Sequence, residues 1–379
     1  MSSLYLRLID YIFLSNHKNC VAILKGFSPP RPIPVTFADS RIKLARFPQR
    51  LPSMPTKTAV ILSNLGTPDD LTKASVKSFL NQFLSDPWVV EVPRPIWWLI
   101  LNLIILPFRS PKTLAGYSRV WMDDGSPLMV LAKRQQLALQ QKLGDQIPVV
   151  LAMRYGKPSL QSVVDELLVQ GVNRLIVLPL YPQNSATTTA TTFHHLSQVL
   201  ANRRDLPSVS FIDNYHEHPA YIDALAESVR AYWQLAGQQN HLLMSFHGLP
   251  QVNVDRGDPY YGQCLRSADL LAENLGLSDA QWSLSFQSRF GKQQWLKPYT
   301  ADVLGELVNA GTTEVDVICP GFSADCLETL DEIKIEYREL YIQQGGKQLN
   351  YIAALNDNEA HIEMMQKLVT PYLTDSMFK

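Results

Sequence analysis

His247 and Glu328 are the residues of this chain whose types and surroundings promise chemistry. His247 stands in Ser-Phe-His-Gly-Leu-Pro, at the end of the apolar run His241 to Phe246, which Gly248 and Pro250 cut short. Glu328 stands in Cys-Pro-Gly-Phe-Ser-Ala-Asp-Cys-Leu-Glu-Thr-Leu-Asp-Glu-Ile, downstream of the run Val315 to Cys319, which stops in the same way at Pro320 and Gly321. Both runs read as buried strands, and ligands in open α/β sheets gather beyond the carboxyl ends of strands. One pocket receiving both side chains is therefore expected. A neutral imidazole, with an ordinary pKa of about 6.5, can ligate a borderline divalent metal or accept a proton near neutral pH, and Glu328 supplies a carboxylate beside it.

The chain continues from Glu328 to Glu332 and Glu336, with Asp325 and Asp331 alongside. On an α-helix the i, i+4, i+8 spacing stacks the three glutamates along one face. Like charges at that spacing destabilise a helix slightly, and Lys334 and Arg338 are the nearby cations that offset them. Two readings stand: a solvated helix face, the commoner meaning of clustered glutamates, and a polar path carrying cations inward or protons outward.

Eight strand-like runs must position these groups: Ala59 to Leu65, Val149 to Met153, Arg174 to Leu180, Val209 to Asp213, Leu242 to His247, Ser283 to Gln287, Val315 to Cys319 and Asn350 to Ala354. They alternate with helical patterns, which predicts parallel sheets covered by helices. The halves also echo one another. Ala152-Met-Arg-Tyr-Gly-Lys157 answers Phe286-Gln-Ser-Arg-Phe-Gly-Lys292, Val177-Leu-Pro-Leu-Tyr-Pro182 answers Val317-Ile-Cys-Pro-Gly-Phe322, and Phe211 to Asp223 answers Tyr351 to Glu363. This reads as an internal duplication. The expected architecture is α/β: two similar Rossmann-like α/β/α domains with parallel four-stranded sheets and a cleft between them. Residues 56–205 form the first domain and 206–354 the second, which carries the catalytic pair; a C-terminal helix at about 355–374 is expected to pack on the first.

The first half offers Asn64-Leu-Gly-Thr-Pro68, Gly125-Ser-Pro-Leu128, Arg154-Tyr155 and the run Tyr181 to Thr189. Arg154 could hold a carboxylate in a bidentate grip. The hydroxyls could bind anions together with backbone amides, though ordinary helix capping explains most of the threonines. No GxGxxG or GxxxxGKS follows the first strand and no GxSxG elbow occurs, so nothing argues for a dinucleotide, a nucleoside triphosphate or a serine hydrolase.

With 379 residues, 46% of them of apolar type, the chain can build two domains with real cores. Its charges nearly cancel at a net −1, which removes the bulk electrostatic case for nucleic acid as a partner. Cys20, Cys264, Cys319 and Cys326 make no close pair, which argues against a zinc site and fits a reducing cytoplasm. No stretch approaches the roughly 20 apolar residues of a membrane-spanning helix. Pro95 to Pro107 comes closest. It reads either as a buried core helix or as a greasy lip over a pocket for a flat apolar or membrane-borne ligand, with Trp97 and Trp98 favouring an apolar boundary. Residues 1–55 have poor periodicity and read as an extension outside the fold, with Met54 near the natural start and a targeting peptide as the rival reading.

Taken together, Asn-Leu-Gly-Thr-Pro, Gly-Ser-Pro-Leu, Tyr-Pro-Gln, Ser-Phe-His-Gly-Leu-Pro, Gly-Asp-Pro-Tyr, Phe-Gln-Ser-Arg-Phe-Gly and the run through Glu328 closely resemble bacterial ferrochelatases, in family order from Leu62 to the last helix. The resemblance implies a lyase that inserts Fe2+ into protoporphyrin IX, releasing two protons, as the last step of haem biosynthesis. It implies that His247 and Glu328 are the metal-binding and catalytic pair, one ligating iron and the other taking a pyrrole proton. Tyr117, Ser126, Arg154 and Tyr155 become candidates for steering the porphyrin or its propionates, Glu332 and Glu336 for a proton or metal path. Pro95 to Pro107 becomes the lip that grips the ring and touches a membrane peripherally.

No cofactor is implied beyond the substrate iron. Ala186 stands in the Tyr-Pro-Gln loop where the animal enzymes place a cysteine, so neither their [2Fe-2S] cluster nor their dimer is expected, and a monomer in the cytoplasm or peripheral to the inner membrane is. Asp69 follows Gly-Thr-Pro where coproporphyrin-metallating members have tyrosine, which favours protoporphyrin. Two rival functions remain. A chelatase for another metal and tetrapyrrole, such as cobalt into a sirohydrochlorin-type ring, would place more histidines in the cleft, whereas His194, His195, His216 and His218 read as surface residues. A haem or porphyrin carrier, or a divergent paralogue, would use His247 as an axial ligand but has no evident use for the glutamate row.

Overall fold

A computed structural model describes residues 56–238, 241–291 and 293–373. The extension expected at 1–55, with its start near Met54, lies outside the described residues. Strands β1 (Thr58–Asn64), β2 (Val149–Met153), β3 (Arg174–Pro179) and β4 (Ser208–Phe211) form one parallel sheet in the order β2-β1-β3-β4. Strands β5 (Leu242–His247), β6 (Trp282–Gln287), β7 (Glu314–Ile318) and β8 (Gln348–Ile352) form a second in the order β6-β5-β7-β8. The fold is thus the expected pair of parallel four-stranded sheets with helices, and the second sheet repeats the topology of the first.

The sequences of the inner strands follow from two-sided burial. All seven residues of β1 are buried, as befits a central parallel strand whose two faces are both covered. The largest core cluster runs from Val60, Leu62 and Leu178 in the first sheet, through Tyr221 and Leu225, to Met244 and Phe246 in the second. Tyr221 and Leu225 belong to the helix Pro219–Ala236, which also packs on the C-terminal helix Glu359–Val369; that helix packs in turn on the helix Pro127–Leu143. Gln135 of Pro127–Leu143 ties the lobes further, its Nε2 donating to the carbonyls of Ser323 (2.9 Å) and Asn356 (3.0 Å). Among the described residues, no helix is long and apolar enough to cross a membrane.

Two segments depart from simple sequence expectation. Glu328–Tyr337 is π-helical throughout, not α-helical. In a helix closed by i→i+5 bonds, a step of four residues stops slightly short of a full turn instead of slightly overshooting it, so the i, i+4, i+8 spacing keeps the three glutamates on one broad face, as it would on an α-helix. The segment 95–107 is no buried core helix. It runs through Arg94–Ile100, a π-helical turn Leu101–Ile105 and the start of Leu106–Val120, burying Leu101 and Leu106 while leaving Trp98, Leu103 and Phe108 at 61%, 66% and 77% exposure. The half-buried Trp97 anchors it, its indole Nε1 donating to the Leu84 carbonyl at 2.6 Å.

Candidate active site

β5 delivers His247, and Gly248 fixes how it arrives. The Gly248 N–H donates to the Gln287 carbonyl at 2.8 Å, and a Cβ on Gly248 would lie 2.6 Å from that oxygen, so only glycine lets the loop press against the end of β6. His247 Nδ1 lies 2.7 Å from the Gly248 carbonyl. A carbonyl can only accept, so Nδ1 carries the proton and Nε2 keeps its lone pair.

The end of β6 also holds the π-helix. Gln287 Nε2 donates to the Glu328 carbonyl at 2.9 Å, and Ser288 gives both its backbone N–H (2.7 Å) and its hydroxyl (2.5 Å) to the Glu332 carboxylate. Ser288 reaches this grip with a φ of 64°, a left-handed conformation that costs a non-glycine residue energy and persists where surrounding contacts impose it.

Charge in this cleft is deliberately unbalanced by burial. Burial pushes the His247 imidazolium down; the Glu328 carboxylate and the Gly248 carbonyl pull partly back, and Arg109 pushes down again. The ring is therefore neutral at pH 7. Burial pushes Glu332 up to about 7, against the hydrogen bonds from Ser288 and Gln287 and with help from the Glu328 charge. Arg109, on Leu106–Val120, faces the same carboxylates: burial weakens its hold on its proton while Glu328 and Glu332 strengthen it, and its guanidinium lies 4.6 Å over the Phe290 ring. The site thus gathers a neutral imidazole, two carboxylates and a guanidinium from both lobes.

The other sequence candidates divide. Tyr117 is buried under the influence of the Glu328 charge, which together with desolvation raises its pKa, and its hydroxyl accepts from Thr67 at 3.4 Å. Ser126 caps the helix Pro127–Leu143, accepting from the Met129 N–H at 3.3 Å. Arg154 and Tyr155 gather on Asp86: Arg154 Nη2 at 2.5 Å, the Tyr155 hydroxyl at 2.7 Å and Thr191 Oγ1 also at 2.7 Å. Glu336 is exposed and meets Arg119 at 2.9 Å. His194, His195, His216 and His218, expected at the surface, are half-buried; His218 caps Pro219–Ala236.

Arg109, Gln287, Ser288 and Asp86 were not singled out by sequence. Arg109 left one signal, a cation beside Phe108 at the edge of an apolar stretch; Gln287 and Ser288 left another, their place in the motif that echoes Arg154 and Tyr155. The Gly-Asp-Pro-Tyr motif serves the frame: Asp258 accepts from Ser185 Oγ (2.9 Å) and the Ala186 N–H (2.8 Å), joining the lobes through the Tyr-Pro-Gln loop.

A family model described as ferrochelatase matches residues 57–373. The ferrochelatase of Aeromonas hydrophila subsp. hydrophila is 53% identical over 319 residues, 83% of this chain and 98% of that protein. That of Klebsiella pneumoniae (strain 342) is 50% identical over 317 residues, 84% of this chain and 99% of that protein. Among solved structures, SirB from Bacillus subtilis with Fe3+ superposes with a TM-score of 0.51 at 13% identity, covering 85% of this chain and 98% of SirB, a likeness of fold.

Proposed function

The chain belongs to the ferrochelatase family, and on that membership and the chemistry of its cleft we propose that it inserts Fe2+ into protoporphyrin IX, releasing two protons, with His247 and Glu328 as the reacting pair. The observation that carries this reading is the meeting of a neutral His247 with Glu328 and a Glu332 whose pKa is held near 7. Metallation has two demands: a hydrated dication must shed water, and two pyrrole protons must leave nitrogens hidden in a planar ring. Glu328 and Glu332 suit the first, since carboxylate oxygens replace water around a divalent ion. His247 Nε2 suits the second, and the neighbouring Glu328 charge stabilises the imidazolium that forms. Glu332 then receives a proton at little cost, because its pKa sits at the working pH.

Exposing the nitrogens requires bending the macrocycle, a distortion of about 1–5 kcal/mol drawn from remote contacts. The apolar ridge of Trp98, Leu103 and Phe108 is the surface we assign to that contact, with Arg109 and Tyr117 at its inner edge. The same ridge suits peripheral contact with a membrane face by a cytoplasmic monomer. Asp69, where coproporphyrin-metallating members of the family carry tyrosine, favours protoporphyrin as the ring. The test is anaerobic incubation with protoporphyrin IX and Fe2+, followed by the decay of free-base fluorescence. Catalytic decay is expected; porphyrin binding without metallation would overturn the proposal in favour of a carrier.

A further inference from the structure

Arg119 reaches from Leu106–Val120 to the π-helix Glu328–Tyr337. Its Nε and Nη2 fork onto the Asp331 carboxylate at 2.5 and 2.8 Å, and Nη2 also meets Glu336 at 2.9 Å. A planar fork on a carboxylate fixes orientation as well as distance, which a point charge does not. Room for it comes from Gly116, one turn earlier on the same helix: a Cβ there would lie 2.5 Å from Asp331 Oδ2 and 3.2 Å from Leu327 Cδ1. The fork is therefore built into a close helix-to-helix approach, and Asp331 is buried within it.

Asp331 directly precedes Glu332 and follows Glu328 on the same π-helix. Rotation of that helix about its axis would swing both glutamates. On one side Gln287 and Ser288 hold it; on the other, the Arg119 fork does. We propose that Arg119, acting through Asp331 with Gly116 making room, is a positioning residue that locks the carboxylate-bearing π-helix to the helix of the apolar lip, so that Glu328 and Glu332 are aimed relative to the surface that seats the ring. This inference rests on the iron-insertion reading for its kinetic effect but not for its structural one.

The variants are Arg119→Ala, Arg119→Lys, Asp331→Asn and the double Arg119→Ala/Asp331→Asn. Arg119→Ala is expected to lower kcat about tenfold while KM for porphyrin stays within about twofold. Asp331→Asn should match it, the double variant should lose no more than either single, and Arg119→Lys, charged but unforked, should fall between. Amide hydrogen exchange over 328–337 should quicken in Arg119→Ala, a readout that needs no turnover. Parent-like kcat with parent-like exchange would overturn the proposal, as would losses that simply multiply in the double variant. A parent chain that fails to metallate would sink the iron-insertion reading alone, and the exchange rates would still decide the lock.

Discussion

The two lobes share a strand order and a backbone path, and both follow their third strand with π-helical backbone, Ala186–Ala190 in the first and Glu328–Tyr337 in the second. They differ in what stands on that frame. Gly66 and Pro68 follow Leu65 as Gly248 and Pro250 follow His247, and aligning Val177–Pro182 with Val317–Phe322 puts Thr188 where the second lobe has Glu328. The buried carboxylate of the first lobe, Asp86, is fully committed. Burial opposes its charge, but Thr191, Tyr155, the Trp88 N–H and Arg154 together hold its pKa below the usual range. At Glu332 of the second lobe burial, helped by the Glu328 charge, outweighs the Ser288 and Gln287 donors and lifts the pKa to about 7. A buried carboxylate whose donors and cation outweigh burial stays charged; one for which burial and a second carboxylate outweigh the donors can change protonation near neutral pH. The same fold carries both, so function here is a matter of a few side chains and not of architecture.

The comparison is tested most severely at His247. His247→Ala should lower turnover by about 10²- to 10⁴-fold, the usual worth of a positioned acid or base. Thr188→Val, which removes a buried hydroxyl with no hydrogen-bond partner, should leave kcat unchanged. Steady-state metallation rates decide it, and equal losses would mean that both lobes take part in the chemistry.

Asp86→Ala should act on stability instead. It leaves the half-buried Arg154 without its carboxylate, a loss of about 3 kcal/mol in denaturant unfolding, with kcat per folded molecule intact. Loss of kcat at full stability would move Arg154 and Tyr155 into the reacting machinery.

Glu332→Gln sharpens the contrast through pH. The folded pKa of about 7 lies above the ordinary 4.5, so the folded protein binds more protons between these values and loses stability as pH rises through that window. The penalty is fully present above pH 7 and absent below 4.5. Glu332→Gln should therefore gain about 1–3 kcal/mol over the parent at pH 8 and nothing at pH 4. Equal changes at both pH values would contradict the assignment. The same variant should lose whatever part of the acid limb of turnover lies near pH 7.

Every strand was legible in the sequence to within two residues, the inner ones because buried parallel strands are short apolar runs punctuated by glycine and proline. His247 was legible for the same reason, standing where such a run stops. The π-helical backbone was not, since i+4 spacing of glutamates looks the same whichever ring size the hydrogen bonds close. Nor was the fate of Arg154, which depends on Asp86 far away in the chain, or the Arg119 fork, whose partners are separated by most of the fold. The apolar stretch 95–107 fitted both a core helix and a lip, and exposure of Trp98 and Leu103 excludes the core helix.

The most direct test of the central claim is Glu328→Gln, with porphyrin affinity and Fe2+ insertion measured side by side on one preparation. The account predicts parent-like porphyrin binding with turnover lost. Turnover retained at parent rates would contradict it.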